Sequence, residues 1–337
     1  EFREAFRQVT PRVDAPREDA SIFTAMGEVC SMLEESSGCS APTEKVTALA
    51  LKEALYRLDS SFELNEMHDA TEAHEALLDA LHRAVAEPVP QPAVGAAGDS
   101  AASSSSSAPR LNGHAHAKGG DSFVKRIFSM HVLMEYAKPA NPSEEPSKPV
   151  HFDQWTQYVV ASELRDAVRA DRAEGHDEAS PLVRVLRKAA GSEALRMGQE
   201  PAPGSATQRM LHVPRVFTLG LASDTAHASK GEISESLDGI DARLNLADVF
   251  GGLDDQQPQL CELQALTAFY ESHYVCFCFS ASAGQWIHYD DDTRRLVGTS
   301  FDAVKEKCVA GRLHPQLLFY VAVGEGERGD PWGSSES

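Results

Sequence analysis

The run from Leu260 to Asp292, LCELQALTAFYESHYVCFCFSASAGQWIHYDDD, leaves the chain few choices of fold. Leu263–Phe269 and Tyr274–Phe279 are mostly apolar, with the aromatic and β-branched residues that suit a pleated, half-buried surface. Glu271-Ser272 between them has room only for a tight corner. The two segments are therefore expected to pair antiparallel, with His273 at a strand mouth. A third short strand, Trp286–Tyr289, then delivers Asp290, Asp291 and Asp292. A histidine at one strand end and a carboxylate at a neighbouring strand end can meet side by side, and the carboxylate then fixes the imidazole's tautomer, as a general base requires. Taken alone, a histidine ahead of a strand is more often an ordinary surface or core group. Cys276 and Cys278 on the second strand alternate to the face opposite the imidazole, so neither is expected to be its nucleophile.

The order SHY, then W-x-x-YDD, then a helical run (Phe301–Cys308) and a closing strand (Pro315–Val323), resembles the histidine box of the ubiquitin-specific proteases. Within that family it is most similar to a divergent plant-type subgroup of ubiquitin carboxyl-terminal hydrolase-related proteins. The resemblance implies papain-like chemistry with a Cys nucleophile, a His base and an Asp or Asn orienter. His273 falls on the base and Asp290 on the orienter, while Ser272 stands where the family usually has Gly.

A second stretch, FELNEMHDATEAHEALLDALHRAV, reads first as a capped amphipathic helix. Asp69 and Glu72 have the spacing of a capping box, and Ala73, Leu77, Ala80, Leu81 and Ala84 form an inward stripe at helical spacing. It is also similar to the family's Gln-Gln-Asp box, matching at Asp69, Ala70, Glu72, Leu77, Leu78, Asp79, Leu81 and His82, with Met67 and His68 in place of the glutamines. In the family this box flanks the cleft and helps hold the ubiquitin tail. The resemblance thus implies substrate contacts at Asp69 and Glu72, and at Tyr274 and Asp291 beside the histidine and carboxylate. His68, His74 and His82 make no metal-binding helical pair, and no metal or other cofactor is expected.

The rest of the chain is read around these two stretches. Helices are expected at 1–8, at 20–35 behind an Asp19 cap, and at 44–58. Cys30, on the second of them among apolar neighbours, is expected to be inert. Residues 89–121, rich in Pro, Ala, Gly and Ser, cannot bury enough surface to offset ordering entropy and are expected to be disordered, as is the tail 324–337. Strand-like alternation is read over Phe123–Tyr136, with a partner strand at His151–Val160. Helices follow at Ser162–Ala173 and Pro181–Met197, a strand at Leu211–Leu221, a short helix at Glu232–Leu237, and Leu244–Phe250 leads into the opening stretch. The expected architecture is α+β and papain-like: a helical thumb (1–88), a finger-like β region (122–210) and an antiparallel palm sheet with the histidine box (211–323). The family's fingers often bind zinc through two CxxC pairs. This chain has no Cys between 40 and 260, so its fingers are expected to be held by packing alone.

Charge and thiols bound the function. A net charge of −20 argues against nucleic acid or an anionic membrane as partner, and no run approaches the ~18 apolar residues of a membrane span. The six cysteines form no CxxC pair, and reduced thiols in cytosol or nucleus are the default. The chain opens EFREAFRQ, without an initiator Met, similar to the family's segment just after the helix of its cysteine box. It is therefore expected to be part of a longer protein whose nucleophile lies before residue 1, and not to catalyse as it stands. The function expected for that parent is thiol-dependent hydrolysis at the ubiquitin C-terminus, with ubiquitin and ubiquitinated proteins as partners. The alternative is an inactive ubiquitin-binding scaffold; an acidic helical interaction domain is a third, weaker reading.

Overall fold

The structure, a computed structural model, describes residues 2–37, 48–63, 68–87, 120–139, 143, 147–175, 179–192, 202–203, 205–223, 228–251, 253, 259–291 and 293–323. The segments read as disordered, 89–121 and 324–337, fall almost wholly outside the described residues. Among the described residues no helix is long and apolar enough to cross a membrane.

Five helices build one apolar core. They are α1 (Phe2–Arg7), α2 (Arg17–Ser37), α3 (Leu49–Leu58), α4 (Ala70–Val85) and α5 (Phe123–Phe128). Phe6, Ile22, Phe23, Leu55, Leu78, Leu81 and Phe123 meet there, with Phe6 stacked on Phe23 at 4.3 Å. Two expectations are corrected here. Asp19 does not cap α2: the helix starts one turn earlier, where the Pro16 carbonyl accepts from the Ala20 N–H at 3.0 Å. Asp19 is instead 1% exposed and accepts from Arg83 Nε and Nη2 at 2.9 and 2.8 Å. Residues 123–128 are helical, not extended, because Ser122 caps them through the Lys125 N–H. Phe123, Val124, Ile127 and Phe128 then fall on one helical stripe toward that core.

β1 (Met130–Tyr136), β2 (Val150–Gln154) and β4 (Ala206–His212) form an antiparallel sheet in the order β2-β1-β4, with Met130, Val132 and Met210 buried. The single strand expected at 151–160 is two. β2 stays in this sheet, and β3 (Thr156–Val160) crosses to another, parallel to β5 (Val216–Ala222). The break is Trp155, 1% exposed, which packs into the helical core and donates its indole N–H to Asp79 at 2.8 Å. The strand expected at 211–221 is also two, divided at Pro214, which has no N–H to give a ladder.

α6 (Ala161–Glu174) and α7 (Pro181–Ala190) follow β3. α7 stops short of the expected Met197 because Gly191 takes a left-handed φ of 64° and its N–H reaches the Arg187 and Lys188 carbonyls. A Cβ at Gly191 would sit 2.2 Å from the Ala206 carbonyl oxygen.

The larger sheet has eight strands among the described residues. Its path is β10 (Thr293–Gly298), β9 (Gln285–Asp290), β8 (His273–Ser280), β7 (Leu260–Tyr270), β11 (His314–Ala322), β5 and β3, with β6 (Arg243–Asn245) beside β7. Leu244–Phe250 thus becomes β6 and a 3-10 turn (Leu246–Asp248). The β3–β5 pair is parallel and the other described pairings are antiparallel. The second core lies between this sheet and α6, α7, α8 (Lys230–Asp238) and α9 (Phe301–Gly311), with Leu164, Leu186, Phe217, Leu237, Leu263, Phe277, Trp286 and Val304 in it. Elsewhere, Glu87 and Gly120 meet through the Gly120 N–H and the Glu87 carbonyl at 3.2 Å. A Cβ on residue 120 would lie 2.3 Å from that oxygen.

Candidate active site

Two tight corners bring the chemistry together. Tyr270 and His273 close the β7–β8 hairpin across Glu271-Ser272, and Glu271 takes a φ of 53° to match the strand twist. Asp290 and Thr293 close the β9–β10 hairpin, where Asp291 has a φ of 45°. The Thr293 hydroxyl donates to the Asp290 carbonyl at 2.8 Å, fixing the end of β9.

Between β8 and β9 the register pairs Cys276 with Tyr289 and Phe277 with His288. Continued, it sets Asp290 across from Val275, so His273 and Asp290 are diagonal neighbours on one face. Their side chains meet: Nε2 of His273 lies 2.6 Å from Oδ1 of Asp290, both 41% exposed. An ionised carboxylate only accepts, so the hydrogen belongs to Nε2, and Nδ1 is left with a lone pair to take a proton. The hydrogen bond from His273, ahead of the opposing effect of burial, holds the Asp290 carboxyl below its usual range. The oxygen and nitrogen donors of His273, Asp290 and Asp291 all lie within 4.8 Å of one another.

The N-terminus of α4 is tied to Tyr274, the residue after His273 on β8. Asp69 accepts from the amides of Thr71 and Glu72 at 2.7 and 3.3 Å, as an N-cap does. The Ala70 N–H donates to the Tyr274 hydroxyl at 3.3 Å, joining α4 to the mouth of β8. Tyr274 is half-buried and lies on Phe269 at 4.8 Å, and burial raises its phenol. Asp69, Glu72 and Asp291 are exposed. His273, Tyr274, Asp290 and Asp291 thus sit at one end of the sheet, with Asp69 reached through Ala70.

The described cysteines are free thiols. Cys30 and Cys308 are buried, and burial pushes Cys30 up and Cys308 up to about 12. Cys261 is likewise pushed up to about 12. Cys276 and Cys278 lie on the strand face away from His273 with their sulfurs 3.4 Å apart. Among the described residues no cysteine is hydrogen-bonded to His273.

Two histidines have ring nitrogens sealed in ways the sequence reading did not expect: His288, given no role there, and His74, read only as making no metal-binding pair. His288 is 5% exposed, stacks on Phe277 at 4.6 Å, and neither ring nitrogen has a partner among the described residues. Alternation along W-x-H-Y-D already sets it on the face of Asp290. His74, on α4, is half-buried, with its Nε2 inaccessible and unpartnered among the described residues, and its ring lies edge-on to Phe319 of β11 and Phe128 of α5 at 5.4 and 6.3 Å. Its signal is an imidazole inside an apolar stripe.

A family model described as ubiquitin carboxyl-terminal hydrolase matches residues 1–320. Ubiquitin carboxyl-terminal hydrolase 54 of Rattus norvegicus is 23% identical over 330 residues, 95% of this chain and 18% of the relative. Ubiquitin carboxyl-terminal hydrolase 53 of Homo sapiens is 23% identical over 331 residues, 95% of this chain and 27% of the relative. The chain thus spans about a fifth to a quarter of the length of these curated relatives. Among solved structures, a chain of the SAGA DUB module (Ubp8, Sgf11, Sus1 and Sgf73) bound to monoubiquitin superposes with a TM-score of 0.55 at 14% identity. The match covers 96% of this chain and 63% of that one. This likeness bears on the fold, which is the α+β, papain-like one.

Proposed function

The chain belongs to the ubiquitin carboxyl-terminal hydrolase family and has its ubiquitin-specific catalytic-domain fold, and from that premise we propose thiol-dependent hydrolysis of the bond that follows the ubiquitin C-terminus. One observation carries the reading: His273 and Asp290 pair at 2.6 Å at a strand mouth, where the next residue, Tyr274, is bonded to the capped end of α4. In this reading Nδ1 of His273 takes the thiol proton, and Asp290 holds the ring in the tautomer that permits it. The thiolate attacks the carbonyl at the end of the ubiquitin tail, and the imidazolium returns its proton to the leaving amine. Water then releases the tail from the thioester with the same base. The tail runs between α4 and the mouth of β8, with Asp69, Glu72, Tyr274 and Asp291 along it. Its basic character suits these carboxylates and the chain's net charge of −20. The thiol itself is not among the described cysteines at His273, so the reading requires one to be brought to Nδ1.

That requirement favours a second reading for the chain as given: it binds ubiquitin without turning it over. Titration of 15N-labelled ubiquitin with this chain reads both, since each expects shifts at the ubiquitin tail. A ubiquitin C-terminal amide of a fluorogenic amine, tested with this chain alone and within any longer protein that contains it, separates them. Cleavage that His273→Ala abolishes supports the hydrolase. Binding with no cleavage supports the scaffold, and unchanged ubiquitin spectra sink both.

A further inference from the structure

We propose that His273, Asp290 and Asp291 form a binding site for a borderline divalent cation, Zn2+, at the mouth of β8. Three donors from different side chains, one imidazole nitrogen and two carboxylate oxygens, already lie within 4.8 Å of one another. Tetrahedral Zn2+ holds such donors at ~2.0–2.2 Å, which sets them roughly 3.3 Å apart. The cluster therefore needs adjustments of an ångström or so. The Nε2–Oδ1 contact must widen from 2.6 Å, and both side chains are 41% exposed and able to turn.

A second observation points the same way. His288 lies two residues before Asp290 on the same strand face, is 5% exposed, and has no partner at either ring nitrogen among the described residues. A buried imidazole without a hydrogen bond is costly unless something supplies one. His288 is not one of the three clustered ligands; it leaves an unsatisfied imidazole on the face of Asp290. A mixed imidazole and carboxylate set suits Zn2+ better than Mg2+ or Ca2+, which prefer oxygen alone. The net charge of −20 draws cations toward the surface.

The ion takes Nε2 in the tautomer that carries the ring proton on Nδ1, so the hydrogen that His273 gave Asp290 moves to the other ring nitrogen and no net proton is lost. On the reading of His273 as the base, this separates the imidazole from its orienter, so the same ion acts as a reversible inhibitor. Binding itself does not depend on that reading.

The test uses this chain, reduced, with Zn2+ in competition with a chromophoric chelator, and with Co2+ in place of Zn2+ as an absorbance probe. We expect one ion per chain and the intense visible bands of tetrahedral Co2+ with nitrogen and oxygen donors. Affinity should fall at least about tenfold in Asp291→Asn and His273→Ala. Asn tolerates the left-handed φ at 291, so the first variant keeps the corner. The double variant Cys276→Ser with Cys278→Ser should bind as the parent does. Equal affinity in parent, Asp291→Asn and His273→Ala shows an adventitious ion only and overturns the proposal, as does loss of the site in the double cysteine variant. Neither result touches the hydrolase reading, which is scored on ubiquitin.

Discussion

Acidification should loosen α4 from the sheet through one side chain, His74. Burial, with Nε2 inaccessible and the ring edge-on to Phe319 and Phe128, pushes this imidazole from 6.5 down to about 4. The folded state therefore keeps His74 neutral at pH values where the unfolded chain takes up a proton. Since the unfolded state binds more protons there, stability falls as pH falls, starting near 6.5 and levelling off below about 4. Integrated from about pH 7.5 to about pH 5, the loss from this residue is about 2 kcal/mol. His74→Leu keeps an apolar body in the same space and removes the titration. The assay is urea unfolding of both proteins across that range, and the quantity read is the difference between their unfolding free energies. That difference should shift by about 2 kcal/mol in favour of the variant on going to acid, while other titrating groups cancel. If the two stability curves run parallel within about 0.5 kcal/mol, the sealed environment assigned to His74 is wrong.

Three other outcomes follow from particular contacts. Arg83→Ala strands the Asp19 carboxylate, whose side chain is 2% exposed, and should cost about 2–4 kcal/mol by urea midpoint, short of the full buried-pair value because Arg83 is 44% exposed. Combining it with Asp19→Asn should cost clearly less than the sum, and strict additivity would refute the pairing. Asp69→Ala removes the acceptor for two amides at the start of α4 and should cost about 1 kcal/mol, most of it recovered by Asp69→Ser. Gly191→Ala forces a side chain onto a left-handed residue 2.2 Å from a carbonyl and should lower stability by more than about 1 kcal/mol. An unchanged melting temperature in that variant would mean α7 ends elsewhere.

Legibility in the sequence followed the range of the forces. The hairpins around His273 and Asp290 were readable because a tight corner and strict alternation fix where each side chain goes, whatever else the chain does. The Asp69 cap was readable for the same local reason. What escaped was set by distant partners. Trp155 looks like one more strand residue until Asp79 and the helical core claim it, and that claim splits one expected strand between two sheets. Asp19 looks like a cap until Arg83, 64 residues on, takes its carboxylate. Residues 123–128 alternate well enough for a strand but also fit a helix, and Ser122 decides it. The burial of His74 and His288 is tertiary, since period alone does not say which polar residue in an apolar stripe is sealed.

The meeting of Glu87 and Gly120 has a consequence for how this frame tolerates change. Because the two positions are clasped backbone to backbone, α4 and α5 leave and re-enter the frame at one point. The entropy of closing a connection there grows only slowly with its length, by about 0.6 kcal/mol per doubling. The junction is thus a natural port: a shorter bridge, a tag or a foreign domain can be spliced between its two lips while the geometry of the surrounding fold is left as it was.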